Sequence, residues 1–179
     1  GIEINDFAVT VAKTSLWIAE SQMMKETEEI VNANLDFLPL KSYANIVEGN
    51  ALRMDWESVV PKEKLDYIMG HPPFVGYSLQ SKEQKADILS VYVDEKGKPY
   101  KTAGKIDYVA GWYFKAAELI QRTKTTCAFV STNSICQGEQ VAGVWKPLFE
   151  RFGIEINFAY KTFRWDSEAS LKAHVHCII

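Results

Sequence analysis

The first thirty residues change from a strand pattern to a helix pattern within a few positions. The opening GIEIND is typical of a short apolar strand ending in an acid, after which Asn5 or Asp6 can cap a helix. Small and apolar residues then recur three and four positions apart, at Ala8, Val11, Ala12, Ser15, Leu16, Ala19 and Met23. The pattern predicts a strand followed at once by a helix that packs on a sheet.

Strand and helix patterns alternate along the rest of the chain. Short apolar runs predict strands at NIVEGN (45–50), LDYIMG (65–70), CAFVS (127–131), IEINFAY (154–160) and AHVHCII (173–179). Helical spacing of apolar residues marks 106–120 and 141–152, and Pro147 should kink the second of these helices. The alternation predicts an α/β fold with an open, mostly parallel sheet covered by helices on both faces.

Length, charge and cysteine spacing narrow the class of protein. The 179 residues suit a single domain over 1–179. The net charge is −3, so if DNA is the partner, most of the contacts to it are expected from residues outside this chain. The three cysteines show no CxxC spacing, so neither a disulfide framework nor a thiolate zinc site is indicated. No apolar run is long enough for a membrane span. We therefore expect a cytoplasmic protein.

Polar residues stand where three of the predicted strands end. In open α/β sheets ligands bind beyond the carboxyl ends of the strands, so Glu3, Asn50 and His71 are expected on one rim. A carboxylate there can accept both hydroxyls of a ribose, and an asparagine can read an adenine edge. Each residue alone is more often a solvated acid or a turn former. Together with the double-proline turn HPPF (71–74), they favour a nucleoside site.

Five segments, in order along the chain, carry a family resemblance: GIEIND, VEGNAL, DYIMGHPPF, STNSICQGEQ and FAYKTFRWDSEASLKAHVHCII. The chain resembles the S-adenosylmethionine-dependent adenine-N6 DNA methyltransferases, most closely the methylase part of the MmeI-type bifunctional restriction-modification enzymes. The resemblance implies a Rossmann-like class I methyltransferase fold. It also implies S-adenosylmethionine as cofactor and duplex DNA as partner, with the sequence-recognition region outside this chain.

The resemblance also assigns site residues. Cofactor contacts fall on Glu3 and Asn50 with their neighbours Ile4 and Ala51. The first strand and Gly-rich loop of the family are expected ahead of Gly1, so we expect the 179 residues alone to be inactive. The sheet edges left by that strand should close on each other or pair with another chain, which makes self-association an expected property.

The HPPF turn is the catalytic segment of the family. Methylation of an adenine amine needs two acceptors that draw its N–H bonds toward tetrahedral geometry and stabilise the developing positive charge. By resemblance the Pro72 carbonyl is one acceptor, Pro73 fixes the backbone, and Phe74 stacks on a flipped-out base. Phe163 and Trp165 match a motif that lines the target-base pocket, although core packing explains them equally well.

His71 departs from the family, which has Asn, Asp or Ser at that position. A neutral imidazole has one acceptor nitrogen at a different reach, and a protonated one has none. His71 is therefore a functional variant, a natural degeneration or an introduced change, and a non-catalytic methyltransferase-fold module stays open as the second function. A nicotinamide-linked oxidoreductase is disfavoured because the chain has no GxGxxG.

For the other candidate residues, an ordinary structural role is a better explanation than a functional one. The loop 96–105 carries Lys96, Lys98, Lys101 and Lys105, which could touch phosphates but fit a solvated loop better. Asp107 and Tyr108 could support the cofactor or target pocket, with core packing favoured for Tyr108. His174, His176 and Cys177 do not predict a metal site, because adjacent strand residues face opposite sides and no third ligand has suitable spacing.

Overall fold

The computed structural model describes residues 1–32, 45–165 and 175–178. The chain divides into two compact units, Gly1–Pro61 and Lys62–Ile179. Each unit is described by itself below, and the assignment of one domain to residues 1–179 stays a prediction. Among the helices in the described residues, none is both long and apolar enough to cross a membrane.

The first unit is a strand–helix–strand arrangement. Strands β1 (Ile2–Glu3) and β2 (Val47–Glu48) pair in parallel, with Glu3 opposite Glu48. Helix α1 (Asp6–Val31) connects to β1 through Asn5, whose side chain accepts a hydrogen bond from the backbone N–H of Ala8. An acceptor at the N-cap satisfies one of the N–H groups left open in the first helical turn. The predicted first strand, cap and helix are confirmed, but the predicted packing face is not, because Val11, Leu16 and Met23 are 46%, 53% and 63% exposed.

The second unit contains a parallel pair and an antiparallel sheet. Strand β3 (Tyr67–Gly70) pairs in parallel with β4 (Thr126–Phe129), and each residue of one lies opposite one of the other. Strands β5 (Ser131–Thr132), β6 (Phe163–Trp165) and β7 (Val175–Ile178) form a sheet in the order β5, β7, β6. Both of its pairings are antiparallel.

Strand pairing therefore differs from the expectation of one mostly parallel sheet. The described strands form three separate sheets of two, two and three strands, and the expected closure of the strand edges is not present among them. The run 154–160, predicted as a strand, lies in a stretch without regular structure. Its alternating residues Ile156, Phe158 and Tyr160 are exposed. Alternation gives the tendency to be a strand, but a strand forms only where a neighbouring backbone supplies the hydrogen bonds.

Three α-helices lie in the described residues of the second unit, and the sequence patterns do not predict the first of them. Helix α2 (Lys82–Val91) begins with a capping box in which Ser81 and Gln84 exchange hydrogen bonds. Helix α3 (Ala110–Leu119) is the helix predicted from residue 106, although it begins later. The helix predicted over 141–152 is a π-helical segment, Val141–Trp145, followed by α4 (Lys146–Glu150). Pro147 stands at the start of α4, where its missing N–H is tolerated.

The core of the second unit is formed by the helices and the loops between them. Its fully buried large side chains include Tyr92, Phe114, Ile88, Ile106, Ile135, Leu148, Val109 and Val144. The rings of Tyr92 and Phe114 pack with centroids 4.5 Å apart, and Phe152 packs edge-on to Phe114 at 4.9 Å. Two other members of this core, Ile106 and Ile135, lie just before α3 and just after β5, so both of these loops are anchored in it.

Candidate functional site

The HPPF turn begins directly after β3. Pro72 is buried, Phe74 is half-buried, and His71 and Pro73 are exposed. The rings of His71 and Phe74 lie with centroids 4.8 Å apart and planes tilted by 45°. The turn therefore presents an imidazole and a phenyl ring side by side at the carboxyl end of a strand, which is where ligands bind in open α/β sheets.

The two proline carbonyls of the turn have different partners. The Pro73 carbonyl accepts a hydrogen bond from the backbone N–H of Val75 at 3.1 Å. Within the described part of the chain, no donor reaches the Pro72 carbonyl. A carbonyl oxygen has two lone pairs, so the Pro72 oxygen keeps its capacity to accept from a ligand.

The loop after the turn, residues 75–80, is held by the segment just before α3. The backbone N–H of Tyr108 donates to the Val75 carbonyl at 2.9 Å, and Gln80 Nε2 donates to the Ile106 carbonyl at 2.9 Å. Between these bonds, the backbone N–H of Tyr77 donates to Asp107 Oδ1 at 3.0 Å. Asp107, which the sequence suggested only as a helper, therefore contacts the loop directly.

Tyr108 and Gln80 are both buried. The burial of Tyr108 agrees with the core packing favoured from the sequence, and its hydroxyl donates to Asp87 Oδ2 at 2.8 Å. Gln80 has no place in the sequence prediction. The only signal for it is a polar side chain just before a capping serine, which does not separate a buried residue from a solvated one.

In the first unit, Glu3 and Asn50 lie at the same edge of the β1–β2 pair. Glu3 ends β1, and the backbone N–H of Gly49 donates to the Glu3 carbonyl at 2.8 Å. Glu3 Oε1 accepts from the backbone N–H of Asn5 at 3.0 Å, and Asn50 Oδ1 accepts from that of Leu52 at 2.9 Å. These local bonds fix the direction of both side chains beyond the strand ends.

The neighbours of these two residues differ in exposure. Ile4 is 68% exposed, and Ala51 is half-buried, with its carbonyl accepting from Trp56 Nε1 at 2.8 Å. Because Glu3 and Asn50 belong to one unit and His71 to the other, their expected position on one rim stays a prediction.

The remaining sequence candidates are only partly described. Phe163 begins β6 and is half-buried, and the backbone of Trp165 pairs with Val175. The side chains of Trp165, His176 and Cys177, and all of His174, lie outside the described residues. In the part of the chain that the structure describes, no group of three His, Cys, Asp or Glu side chains could hold a metal ion.

The lysine-rich loop is organised by Asp94. Its Oδ1 accepts from the backbone N–H groups of Lys96 at 2.8 Å and Lys98 at 2.9 Å. The hydrogen bond from Lys98 is the main cause that holds the pKa of Asp94 below its usual range. Lys96, Lys98, Lys101 and Lys105 are all exposed, and Lys105 lies 3.6 Å from Glu139. Contact of these lysines with phosphates stays a prediction.

Two ionisable side chains near β4, Cys127 and Tyr113, are half-buried. Burial raises the pKa of Cys127 to about 12, and burial raises that of Tyr113 to about 12 as well. The Tyr113 hydroxyl lies 2.7 Å from Ser131 Oγ in a part-buried hydrogen bond. A raised pKa lowers the fraction of reactive thiolate, so the surroundings of Cys127 disfavour its use as a nucleophile.

The fold and the site thus define a class of protein: an α/β chain with polar residues at its strand ends and a double-proline turn. The family described as "MmeI, DNA-methyltransferase domain" matches residues 1–179, so the chain belongs to this family of DNA-methyltransferase domains.

Two known proteins match over essentially the whole chain. DNA methyltransferase A of Bacillus subtilis (strain 168) is 45% identical over 182 residues, which cover 100% of this chain and 20% of that protein. A solved structure of the type IIL restriction-modification enzyme MmeI in complex with DNA matches with a TM-score of 0.89 and 46% identity. It covers 99% of this chain and 23% of that one. The chain spans about a fifth of the length of the relatives it matches.

Proposed function

We propose that the chain is part of an enzyme that transfers a methyl group from S-adenosylmethionine to the N6 amine of an adenine in duplex DNA. The enzyme acts within a restriction-modification system, in the cytoplasm that the cysteine pattern favours. The observation that carries the proposal is the HPPF turn, in which the Pro72 carbonyl has no donor in the described residues and the Phe74 ring lies close by.

The chemistry of the amine explains why this turn suits the reaction. The lone pair of an adenine amine is delocalised into the ring, so the nitrogen is a poor nucleophile until acceptors draw its N–H bonds out of the ring plane. The Pro72 carbonyl supplies one acceptor, and it is fixed in direction because Pro73 locks the following backbone dihedral. Phe74 offers a face on which the target base stacks after it leaves the duplex, with Phe163 and Trp165 lining the pocket.

His71 supplies the second polar contact. Its ring lies 4.8 Å from that of Phe74, so a base stacked on Phe74 would have the imidazole beside it. A neutral imidazole presents a single acceptor nitrogen with one lone pair, whereas an amide oxygen presents two lone pairs. We therefore propose that His71 works less well than the Asn, Asp or Ser of the family.

The residues at the β1–β2 edge suit the nucleoside part of S-adenosylmethionine. The hydrogen bond from the Asn5 N–H orients the Glu3 carboxylate and leaves it able to accept further hydrogen bonds, because a carboxylate has about four acceptor sites. Glu3 would accept the ribose hydroxyls, and Asn50, held by Leu52, would meet the adenine, with Ile4 and Ala51 alongside. The bound cofactor supplies the electrophilic methyl group, and these side chains hold and orient it.

Methyl transfer by the full-length protein tests the proposal. Duplex DNA is incubated with methyl-labelled S-adenosylmethionine and digested to nucleosides, and the label is expected in N6-methyladenine. Glu3→Gln should weaken cofactor binding by about tenfold or more, because a charge-assisted bond contributes about 1.5–3 kcal/mol. The matched control is Glu48→Gln, since Glu48 is exposed and lies opposite Glu3 in the strand pair. Label in a methylated cytosine would overturn the adenine assignment.

A non-catalytic module is the second candidate, and His71 is the observation that favours it. In that case the full-length protein would bind S-adenosylmethionine and DNA, yet it would release no methylated base over many hours. A measurable turnover, even a slow one, excludes this candidate.

We also propose that the 179-residue chain alone associates with itself and transfers no methyl group. Tyr67 and Met69 of β3 are 72% and 83% exposed, so one face of this strand is apolar and uncovered. Sedimentation of the isolated chain at several concentrations tests this, and a monomer at all of them would contradict it.

A further inference from the structure

Asp107 is a buried carboxylate between two loops of the second unit. It is 6% exposed, stands just before α3, and contacts both the loop 75–80 after the HPPF turn and, through Ser134, the segment 132–134 at the end of β5. In the described residues, Asp107 forms no ion pair. Burying a charge without a cation is costly unless hydrogen bonds replace the lost water, so its partners indicate what it does.

The partners of Asp107 are neutral donors from three segments. Oδ1 accepts from the backbone N–H of Tyr77 at 3.0 Å, and Oδ2 accepts from the hydroxyl of Ser134. Gln140 is linked to it twice, since its Oε1 accepts from the Asp107 N–H at 3.1 Å and its Nε2 lies 3.4 Å from Oδ1. Gln140 is held in turn by the Lys105 carbonyl, to which Nε2 donates at 2.8 Å.

Tyr77, whose backbone N–H donates to Asp107, lies three residues after Phe74. This hydrogen bond satisfies the first N–H of the short helix Tyr77–Leu79, whose N-cap Gly76 has no side chain to do so. The approach is close, because a Cβ atom at Gly76 would lie 3.8 Å from Asp107 Oδ1. On the other side, Ser134 Oγ lies 2.8 Å from the hydroxyl of Thr132, the last residue of β5.

We propose that Asp107 is a positioning residue for the methyl-transfer site. Its carboxylate ties the loop 75–80 to the segment 132–134, and so it fixes the Pro72 carbonyl and the Phe74 ring at the end of β3. Asp107 does not touch the substrate itself. The inference rests on the proposed function for its catalytic consequence, but the tie between the loops stands independently of the reaction.

Amide hydrogen exchange in the full-length protein tests the tie. Asp107→Ala removes the acceptor of the Tyr77 N–H, and exchange in peptides covering 75–80 should rise at least about fivefold, as the loss of one hydrogen bond implies. Asp107→Asn should restore protection, because an amide oxygen can accept from Tyr77 and the Ser134 hydroxyl can accept from the amide. The control is Tyr92→Phe, which removes a buried hydrogen bond to the Gly143 carbonyl that involves neither Asp107 nor residues 75–80.

The outcomes of the exchange experiment are separable. Increased exchange in the Ala variant, with the Asn and Tyr92→Phe proteins unchanged over 75–80, supports the tie. Unchanged exchange in the Ala variant overturns it. An equal rise in the Ala and Tyr92→Phe proteins also overturns it, because the effect would then reflect general destabilisation.

Methylation kinetics test the consequence for the reaction. Asp107→Ala should lower kcat by about tenfold or more and leave the KM for DNA and the Kd for S-adenosylmethionine within about twofold, because acceptor placement matters most in the transition state. The Asn variant should recover to within about threefold of wild type. A change in KM alone would overturn the positioning role. A wild-type protein that transfers no methyl group would instead refute the proposed function, and the exchange result would still decide the role of Asp107 in the loop.

Discussion

The ring of Phe129 fills the space beside Gly70, the last residue before the HPPF turn. The two residues lie opposite each other in the β3–β4 pair, and a Cβ atom at Gly70 would be 3.0 Å and 3.1 Å from two ring carbons. Phe129 is 4% exposed, so the ring has little room to move away. The strand end that delivers the turn therefore depends on a glycine for steric reasons and not for a positive φ angle.

Gly70→Ala is expected to lower the free energy of unfolding by about 1–3 kcal/mol, because an added methyl overpacks the core. Urea denaturation measures it. The matched control is Gly104→Ala, since a Cβ at Gly104 meets nothing within 4 Å. The double variant Gly70→Ala with Phe129→Leu should be less destabilised than the sum of the two single changes. Strict additivity would show that the ring is not the obstacle.

His71→Asn is expected to raise adenine methylation by the full-length protein at least about tenfold, the effect of about 1.4 kcal/mol on the barrier. The reason is that an amide oxygen restores the acceptor that the family places at this position. Labelled methyl transfer to duplex DNA measures the change. His71→Ala is the control, because it removes the imidazole without adding an acceptor. A wild-type rate above that of the Asn variant would show that the imidazole is a working alternative.

The isolated 179-residue chain is expected to bind S-adenosylmethionine no tighter than about 0.1 mM. Glu3 and Asn50 offer contacts to the nucleoside part, whereas the family resemblance assigns the amino-acid end to a Gly-rich loop outside these residues. Losing several bonds of about 1–3 kcal/mol each costs two or more decades of affinity. Titration calorimetry measures it. Low-micromolar binding that is abolished by Glu3→Ala and kept by Glu48→Ala would contradict the prediction.

Cys127 is expected to resist alkylation in the folded protein, whereas Cys136 should react faster than Cys127. Burial raises the pKa of Cys127 to about 12, so about one thiol in ten thousand is ionised at pH 8, and reactivity should rise with pH toward that value. Cys136 is exposed, although partial burial raises its pKa too. Mass spectrometry of iodoacetamide-treated protein measures both, with labelling in denaturant as the control. Equal native rates for the two thiols would contradict the assignment.

The sequence alone predicted the elements whose signals are local. Helix α1 is one, because its cap at Asn5 and its apolar spacing lie within one continuous segment. The strand ending at Gly70 and the turn that follows it are two more such elements. The signal for the turn is local because prolines fix their own backbone. Helix α2 carried an equally local signal, with Ser81 followed three residues later by Gln84, and it was missed because its apolar face is narrow.

Tertiary structure decided which strands pair and which polar residues are buried. The alternating run 154–160 had the pattern of a strand, but it has no strand partner in the described residues. The sequence predicted the HPPF turn but not the contacts that support it. Asp107 lies 30 residues from Tyr77, and its hydrogen bonds depend on how the loops meet. The residues themselves thus determine local conformation and reactive groups, whereas strand pairing and the burial of a carboxylate arise only when segments distant in sequence supply each other's hydrogen bonds.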